Sequence, residues 1–244
     1  MKKLIAVFVW VAMTITAAYA QDINEIISNY HESMGGVNKL KALNSLRLNG
    51  KIPTPMGELQ VVIYKKSPNL TRTEIDFQGQ KIIQAYDGET VWTINPMMGS
   101  SEPQKLEGEM ARSISDQAVF EDPFIDYAVK GHEVTLEGEE ILDGIECYKI
   151  KLVMNKNNEE EDVTQIYYLD KEYFLPVMVR GWTNNTEIDT YMSDYQEIED
   201  GLMMAYKIEY MTEGQPGQAV TIDSVKVNEA MNDELFRFPV AEQQ

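Results

Sequence analysis

From Ser45 onward, apolar side chains recur at every second position. Leu46 and Leu48, then Leu59, Val61 and Ile63, then Ile75 and Phe77 all follow this spacing. Successive residues of an extended chain point to opposite faces, so each run predicts a strand with one face buried. Ile82–Tyr86 and Thr90–Asn95 flank Asp87-Gly88, and Asp143-Gly144 and Asp200-Gly201 repeat the device. Both residues of such a pair tolerate the positive φ that a tight hairpin demands. Asn184-Asn185 marks a looser turn, and the acidic run Glu159 to Asp162 reads as a solvated loop. The alternation predicts about eleven strands joined mostly by short hairpins.

Helical spacing is confined to two places. Asp22 and Glu25 form a capping pair ahead of Ile23, Ile26, Ile27, Tyr30 and Met34. Gly35-Gly36 closes that helix, and Val37, Leu40 and Leu43 predict a second. The alternation breaks again after Asn95-Pro96. There Leu106, Met110 and Ile114 stand four apart and predict one helical stripe. Phe120, Phe124, Ile125 and Tyr127, around Pro123, point to a further short helical piece. Helices are therefore expected within 22–43 and 104–128 alone. With no Pro-, Gly- or Ser-rich linker, residues 21–244 read as one domain. The predicted class is mainly β: an open antiparallel half-barrel under a short-helix lid. A sheet of that size curls, and so few helical stripes are too scant to fill it, which predicts an apolar cavity.

The first twenty residues predict export. Lys2 and Lys3 precede the apolar run Leu4 to Val11, and Ala18-Tyr19-Ala20 supplies the small residues that signal peptidase accepts. Cleavage before Gln21 leaves no cysteine for lipid attachment, and the product is expected to be periplasmic and unanchored. Losing the two lysines deepens the formal charge from −19 to −21. Such a field repels nucleic acid and anionic membrane surfaces. No further stretch is long enough to span a bilayer, so an integral membrane protein is not expected.

Catalytic devices are scarce. His31 and His132 are the two histidines, far apart in sequence and without a His-Glu-x-x-His or paired cysteines. They read as ordinary surface or rim residues, and no metal site, cofactor or catalytic residue is predicted. Cys147, the one cysteine, alternates into a strand and reads as inert filler. Met97, Met98, Met110, Met178, Met203 and Met204 belong to a set of 14 methionines, which suit a surface adapting to ligands of variable shape. Trp92, Phe120, Phe124 and Tyr127 cluster around the helical break and outline an apolar pocket.

Lys65-Lys-Ser-Pro-Asn-Leu70, followed by Ala85-Tyr-Asp-Gly-Glu-Thr-Val-Trp-Thr-Ile-Asn-Pro96, resembles the periplasmic lipoprotein-localisation carriers, LolA-like with the related LolB-like receptors. The shared pattern rests on Pro68, Asn69, Leu70, Asp87, Gly88, Trp92, Asn95 and Pro96. Leu235-Phe-Arg-Phe-Pro239 resembles the family's closing strand. Tyr30-His-Glu-Ser-Met-Gly-Gly36 with Leu40-Lys-Ala-Leu43 resembles the outer-membrane lipoprotein-sorting subgroup. The resemblance implies an unclosed barrel whose helical lid covers a cavity for acyl chains. It also implies a lid-contacting arginine just before Pro-Asn-Leu, where this chain has Ser67 preceded by Lys65 and Lys66.

On this reading Leu59, Val61, Ile63, Ile75 and Phe77 line the inner face, Trp92 and Ile94 join them, and Met110, Ile114, Phe124 and Ile125 form the lid. The expected role is a carrier of lipoprotein acyl chains or other lipids in outer-membrane lipoprotein sorting, partnered by envelope transport proteins. Two rivals stand beside it: a lipid- or protein-sensing module of the same fold that moves no cargo, and an enzyme acting without a cofactor. The enzyme would need polar groups converging inside the cavity, whereas the predicted inner positions are apolar.

Overall fold

Asp22 caps the first helix, its carboxylate accepting a hydrogen bond from the Asn24 amide at 3.1 Å. Helix α1 (Ile23–Ser33) buries Ile26, Ile27 and Tyr30 along one stripe. Gly35 follows at φ +110°, and any Cβ there would stand 2.6 Å from the Gly201 carbonyl oxygen. That close approach lets the chain turn into α2 (Val37–Ala42) against the Asp200-Gly201 hairpin. The structure is a computed structural model, and it describes residues 22–154, 162–183 and 185–239. The signal segment, most of the acidic run from Glu159, and Asn184 lie outside the described residues.

Thirteen strands follow: β1 (Ser45–Thr54), β2 (Gly57–Lys66), β3 (Leu70–Phe77), β4 (Gln80–Tyr86), β5 (Val91–Asn95), β6 (Ser100–Lys105), β7 (Glu133–Leu142), β8 (Ile145–Met154), β9 (Val163–Asp170), β10 (Pro176–Thr183), β11 (Thr186–Glu199), β12 (Leu202–Thr212) and β13 (Gln215–Val227). They form one antiparallel sheet, ordered β6-β5-β4-β3-β2-β1-β13-β12-β11-β10-β9-β8-β7. Each pairing joins neighbours in sequence except β1 with β13, which fuses the two halves of the chain. Strands β6 and β7 are the free edges, and the segment between them carries α3 (Gly108–Gln117).

The expected half-barrel is present, with two local corrections. The count is thirteen instead of about eleven, and one of the added strands is β6, which follows a 3-10 turn at Pro96–Met98. Its sequence, Ser-Ser-Glu-Pro-Gln-Lys, has no apolar alternation to betray an edge strand. The piece around Phe120–Tyr127 is a series of turns and not a helix. Asp126 takes φ +50°, a left-handed conformation that interrupts helical hydrogen bonding. The Asp-Gly hairpins form as expected, with φ of +49° and +88° at Asp143-Gly144 and +48° and +81° at Asp200-Gly201.

Register assigns the faces. Leu48 pairs with Ile63, Ile63 with Thr73, Thr73 with Gln84, and Gln84 with Thr93. Directly paired residues share a face, so this row and its alternate neighbours face the same way. On the far side the row Ile150, Tyr167, Val179, Thr190 and Tyr210 continues that face. It is the inner face, since α1, α3 and the turns of 120–128 all pack on it. The core divides accordingly. Ile26, Ile27, Tyr30 and Phe124 pack on Tyr148, Ile150, Leu152 and Leu169, while Leu48, Ile52, Val61, Val220 and Ile222 form a separate inner cluster.

Candidate functional site: an apolar inner face

The inner face of β1–β4, β12 and β13 is apolar and incompletely covered. Val61 is buried beside Leu48 and Ile52. Leu59, Ile63, Ile75 and Phe77 are only half-buried, as are Met204, Tyr206 and Ile208 across the trough. These half-buried side chains surround the buried cluster, so the trough presents oily surface that the chain's own helices do not seal. Leu59, Val61, Ile63, Ile75 and Phe77 thus share one face, as the alternation predicts.

Trp92 and Ile94 do not join them. Trp92 pairs with Ala85 and Ile94 with Ile83, on the opposite face from Gln84 and Thr93. Both belong to an outer cluster with Ile83, Ala85 and Phe238. Trp92 is 0 % exposed there because the C-terminal segment covers it, and its indole N–H donates to the Phe236 carbonyl at 2.7 Å. Arg72 lies over the indole ring and donates to the Leu235 carbonyl at 2.9 Å. The segment 235–239 is therefore a strap across the outer face and not a closing strand. Period two gives the alternation but leaves the choice of face to pairing.

The lid residues also separate. Met110 is 63 % exposed on α3 and turns away from the trough, whereas Ile114 is half-buried. Leu106 precedes the helix, its amide donating to the Val91 carbonyl. Phe124 and Ile125 are fully buried, and Phe124 packs edge-on against Tyr30 and Tyr167. They plug the β8–β9 end instead of covering the β1–β4 wall. His31 belongs to that plug and is not a surface residue. Its Nε2 is buried without a hydrogen-bond partner, 3.7 Å from an Asp122 carboxylate oxygen. Asp122 also accepts from the Tyr30 hydroxyl and, at 2.9 Å, from the Phe124 amide. Burial, reinforced by the Asp122 charge, pushes the Tyr30 phenol well above its ordinary pKa, so it stays a proton donor.

Two pockets lie elsewhere. One of about 470 Å3 sits beside the strap at Arg72, Leu235, Arg237 and Phe238. Another of about 510 Å3 opens between α1 and the plug, at Ile27, His31, Phe124 and Tyr127. Neither involves the inner face of β1–β4. Among the described residues no three His, Cys, Asp or Glu side chains converge as a metal site would require. No helix among them is long and apolar enough to cross a membrane.

A family model described as "Uncharacterized protein"-like matches residues 65–238, well over half of the sequence. The chain belongs to that family. No curated protein matches it. Solved structures resemble it in fold. A DUF1329 family protein from Desulfovibrio piger superposes with a TM-score of 0.57 at 13 % identity, covering 87 % of this chain and 97 % of that one. A LolA superfamily protein from Nitrosomonas europaea gives 0.56 at 13 %, covering 86 % and 96 %. A putative outer membrane lipoprotein-sorting protein domain from Vibrio parahaemolyticus gives 0.53 at 10 %, covering 87 % and 94 %. The fold is LolA-like.

In this family member the far wall of the trough has no local signature in the sequence. Tyr206 and Ile208 alternate in β12 as clearly as Ile63 does in β2, so their strand was legible. Their place opposite β2 depends on the β1–β13 pairing, which nothing local in the sequence signals.

Proposed function

We propose that the chain is an exported carrier that holds acyl chains, those of lipoproteins above all, against the inner face, and that it serves outer-membrane lipoprotein sorting in the periplasm. One observation carries this reading: the half-covered apolar trough whose wall includes Leu59, Val61, Ile63, Ile75 and Phe77. An acyl chain laid there gains about 0.8 kcal/mol for each methylene taken out of water. The LolA-like fold, shared with a structure described as a putative lipoprotein-sorting domain, supports the same reading. The rest of the molecule fits a carrier. The strongly acidic composition keeps such a protein soluble while its trough is empty.

Charge at the centre of the trough is the direct test. Ile63→Glu places an unpaired carboxylate where the chains must lie, which is strongly unfavourable or draws in water. The folded variant, verified by circular dichroism, is expected to lose retention of a fluorescent fatty-acyl probe that the wild type keeps. Equal retention in the two proteins, or none in the wild type, would sink the carrier reading.

A further inference from the structure

Lys65 is an anomaly in the trough. In register it pairs with Leu46 on one side and Thr71 on the other, on the face that carries Leu48, Val61 and Ile63. Reading the same register across β1–β4, β12 and β13, every other inner position is apolar, a glycine or an uncharged polar residue. Lys65 alone brings a charge to that surface. Among the described residues its ammonium makes one hydrogen bond, to the carbonyl of Gln117 at the end of α3, at 3.3 Å. Among the described residues no carboxylate pairs with it, although the chain carries 40 acidic residues and most of its other described lysines have found one. An ammonium has three donors, and the Gln117 carbonyl takes one from this half-buried side chain. Burial accordingly lowers its pKa, the response of a cation that lacks an anion. Thr71 brings a hydroxyl to the same face directly across the ladder, and Tyr86 continues that row on β4.

We propose that Lys65 is a receptor for the anionic head, a carboxylate or a phosphate, of an amphiphile whose acyl chain lies along Ile63, Val61 and Ile75. The proposal rests on the carrier reading and adds to it the class of ligand: an acidic lipid with a head group small enough to reach the α3 end of the trough. An anion there completes the ammonium's hydrogen bonding, with the Thr71 hydroxyl beside it as a further donor. The acyl chain then runs away from that row toward Phe77. A charge-assisted contact in a desolvated site is worth far more than the same contact in water, so the head group sets selectivity while the chain sets affinity.

Three probes of equal chain length separate the possibilities: dodecanoate, dodecyl phosphate and dodecanol, each titrated by calorimetry into the wild type, Lys65→Met and Lys65→Arg. The wild type is expected to bind at least one anion about tenfold more tightly than dodecanol. Lys65→Met should lose that preference while still binding dodecanol, and Lys65→Arg should keep it. Whichever anion binds more tightly identifies the source of the head group. If Lys65 serves only to hold the end of α3, Lys65→Met changes all three affinities together, and the proposal fails. It fails equally if the wild type does not distinguish the anions from dodecanol, an outcome that leaves the carrier reading standing. Binding of none of the three overturns both.

Discussion

Glu74 shows how one residue can decide what its strand tolerates. It faces outward from β3, where Arg72 and Lys81 donate to its two carboxylate oxygens at 2.8 and 2.7 Å. Burial alone would raise its pKa, but the hydrogen bonds from Lys81 and Arg72 prevail and hold the carboxyl below its usual range. A depressed folded-state pKa stabilises the fold above the unfolded value, and that contribution is lost as pH falls through the folded one. Glu74→Gln should therefore cost about 1–3 kcal/mol at about pH 7 and progressively less toward about pH 3. Urea denaturation of both proteins across that range provides the check, and a pH-independent loss would refute the assignment. Cys147 illustrates the opposite outcome. Burial, with the Asp170 charge adding to it, pushes the thiol up to about 11, so at neutral pH it remains protonated and inert, as its place in an alternating strand suggests.

Among the elements, the C-terminal strap does what no strand or helix does. Residues 231–238 cross the outer face, held by Lys66 donating to the Met231 carbonyl at 2.7 Å, by Arg72 on Leu235 and by the Trp92 indole on Phe236. The strap lets the outer face carry a tryptophan where a one-layer sheet would otherwise be wet. Phe236, itself a strap residue, is fully buried. Phe236→Ala is expected to cost about 3–5 kcal/mol and to shift the Trp92 emission to the red, as water reaches the indole. Unchanged emission with unchanged stability would mean that the strap is an ornament. The helical elements divide their labour in the same spirit. Segment 120–128 is short and irregular but deeply anchored through Phe124 and Ile125, while α3 buries no residue fully and is half-buried only at 111 and 113–116.

At the scale of the molecule, one sheet has two unequal ends. The β7–β9 end is filled by α1 and the plug, and the β1–β4 end keeps its apolar surface half open. On the proposed function, stability and binding fall to different regions, and mutations can separate them. Phe124→Ala should lower the unfolding free energy by about 3–5 kcal/mol yet leave the affinity of a fluorescent acyl probe within about twofold at a temperature where the variant is folded. Ile63→Glu should do the reverse. A Phe124→Ala protein that remains stable but no longer binds the probe would show that the plug, and not the trough, is the ligand site.

What the sequence determined by itself is local. Hydrophobic period, Asp-Gly turns and the Asp22 cap depend on residues within a few positions of one another. They were enough for the strands, the hairpins, the first helix and the half-barrel class, and enough to put Leu59, Val61, Ile63, Ile75 and Phe77 on one face. The edge strand β6 escaped because an edge needs no apolar alternation. Only the tertiary structure decided the rest. Trp92 and Ile94 alternate as well as Ile63 does, but a strand's period is the same for either face, and the choice rests with pairing and with what covers each side. For Trp92 the cover is a strap whose residues lie 144 positions away. Met110 and Phe124 are both apolar residues near the helical break, yet one is exposed and the other buried, because only the second meets α1 and β8. The pairing of β1 with β13 made Tyr206 a neighbour of the β2 wall, and among the described inner positions of β1–β4, β12 and β13 Lys65 is the one charge. Such contacts join parts of the chain that carry no local sign of each other, since the free energy that brings them together appears only once the whole sheet has closed around its core.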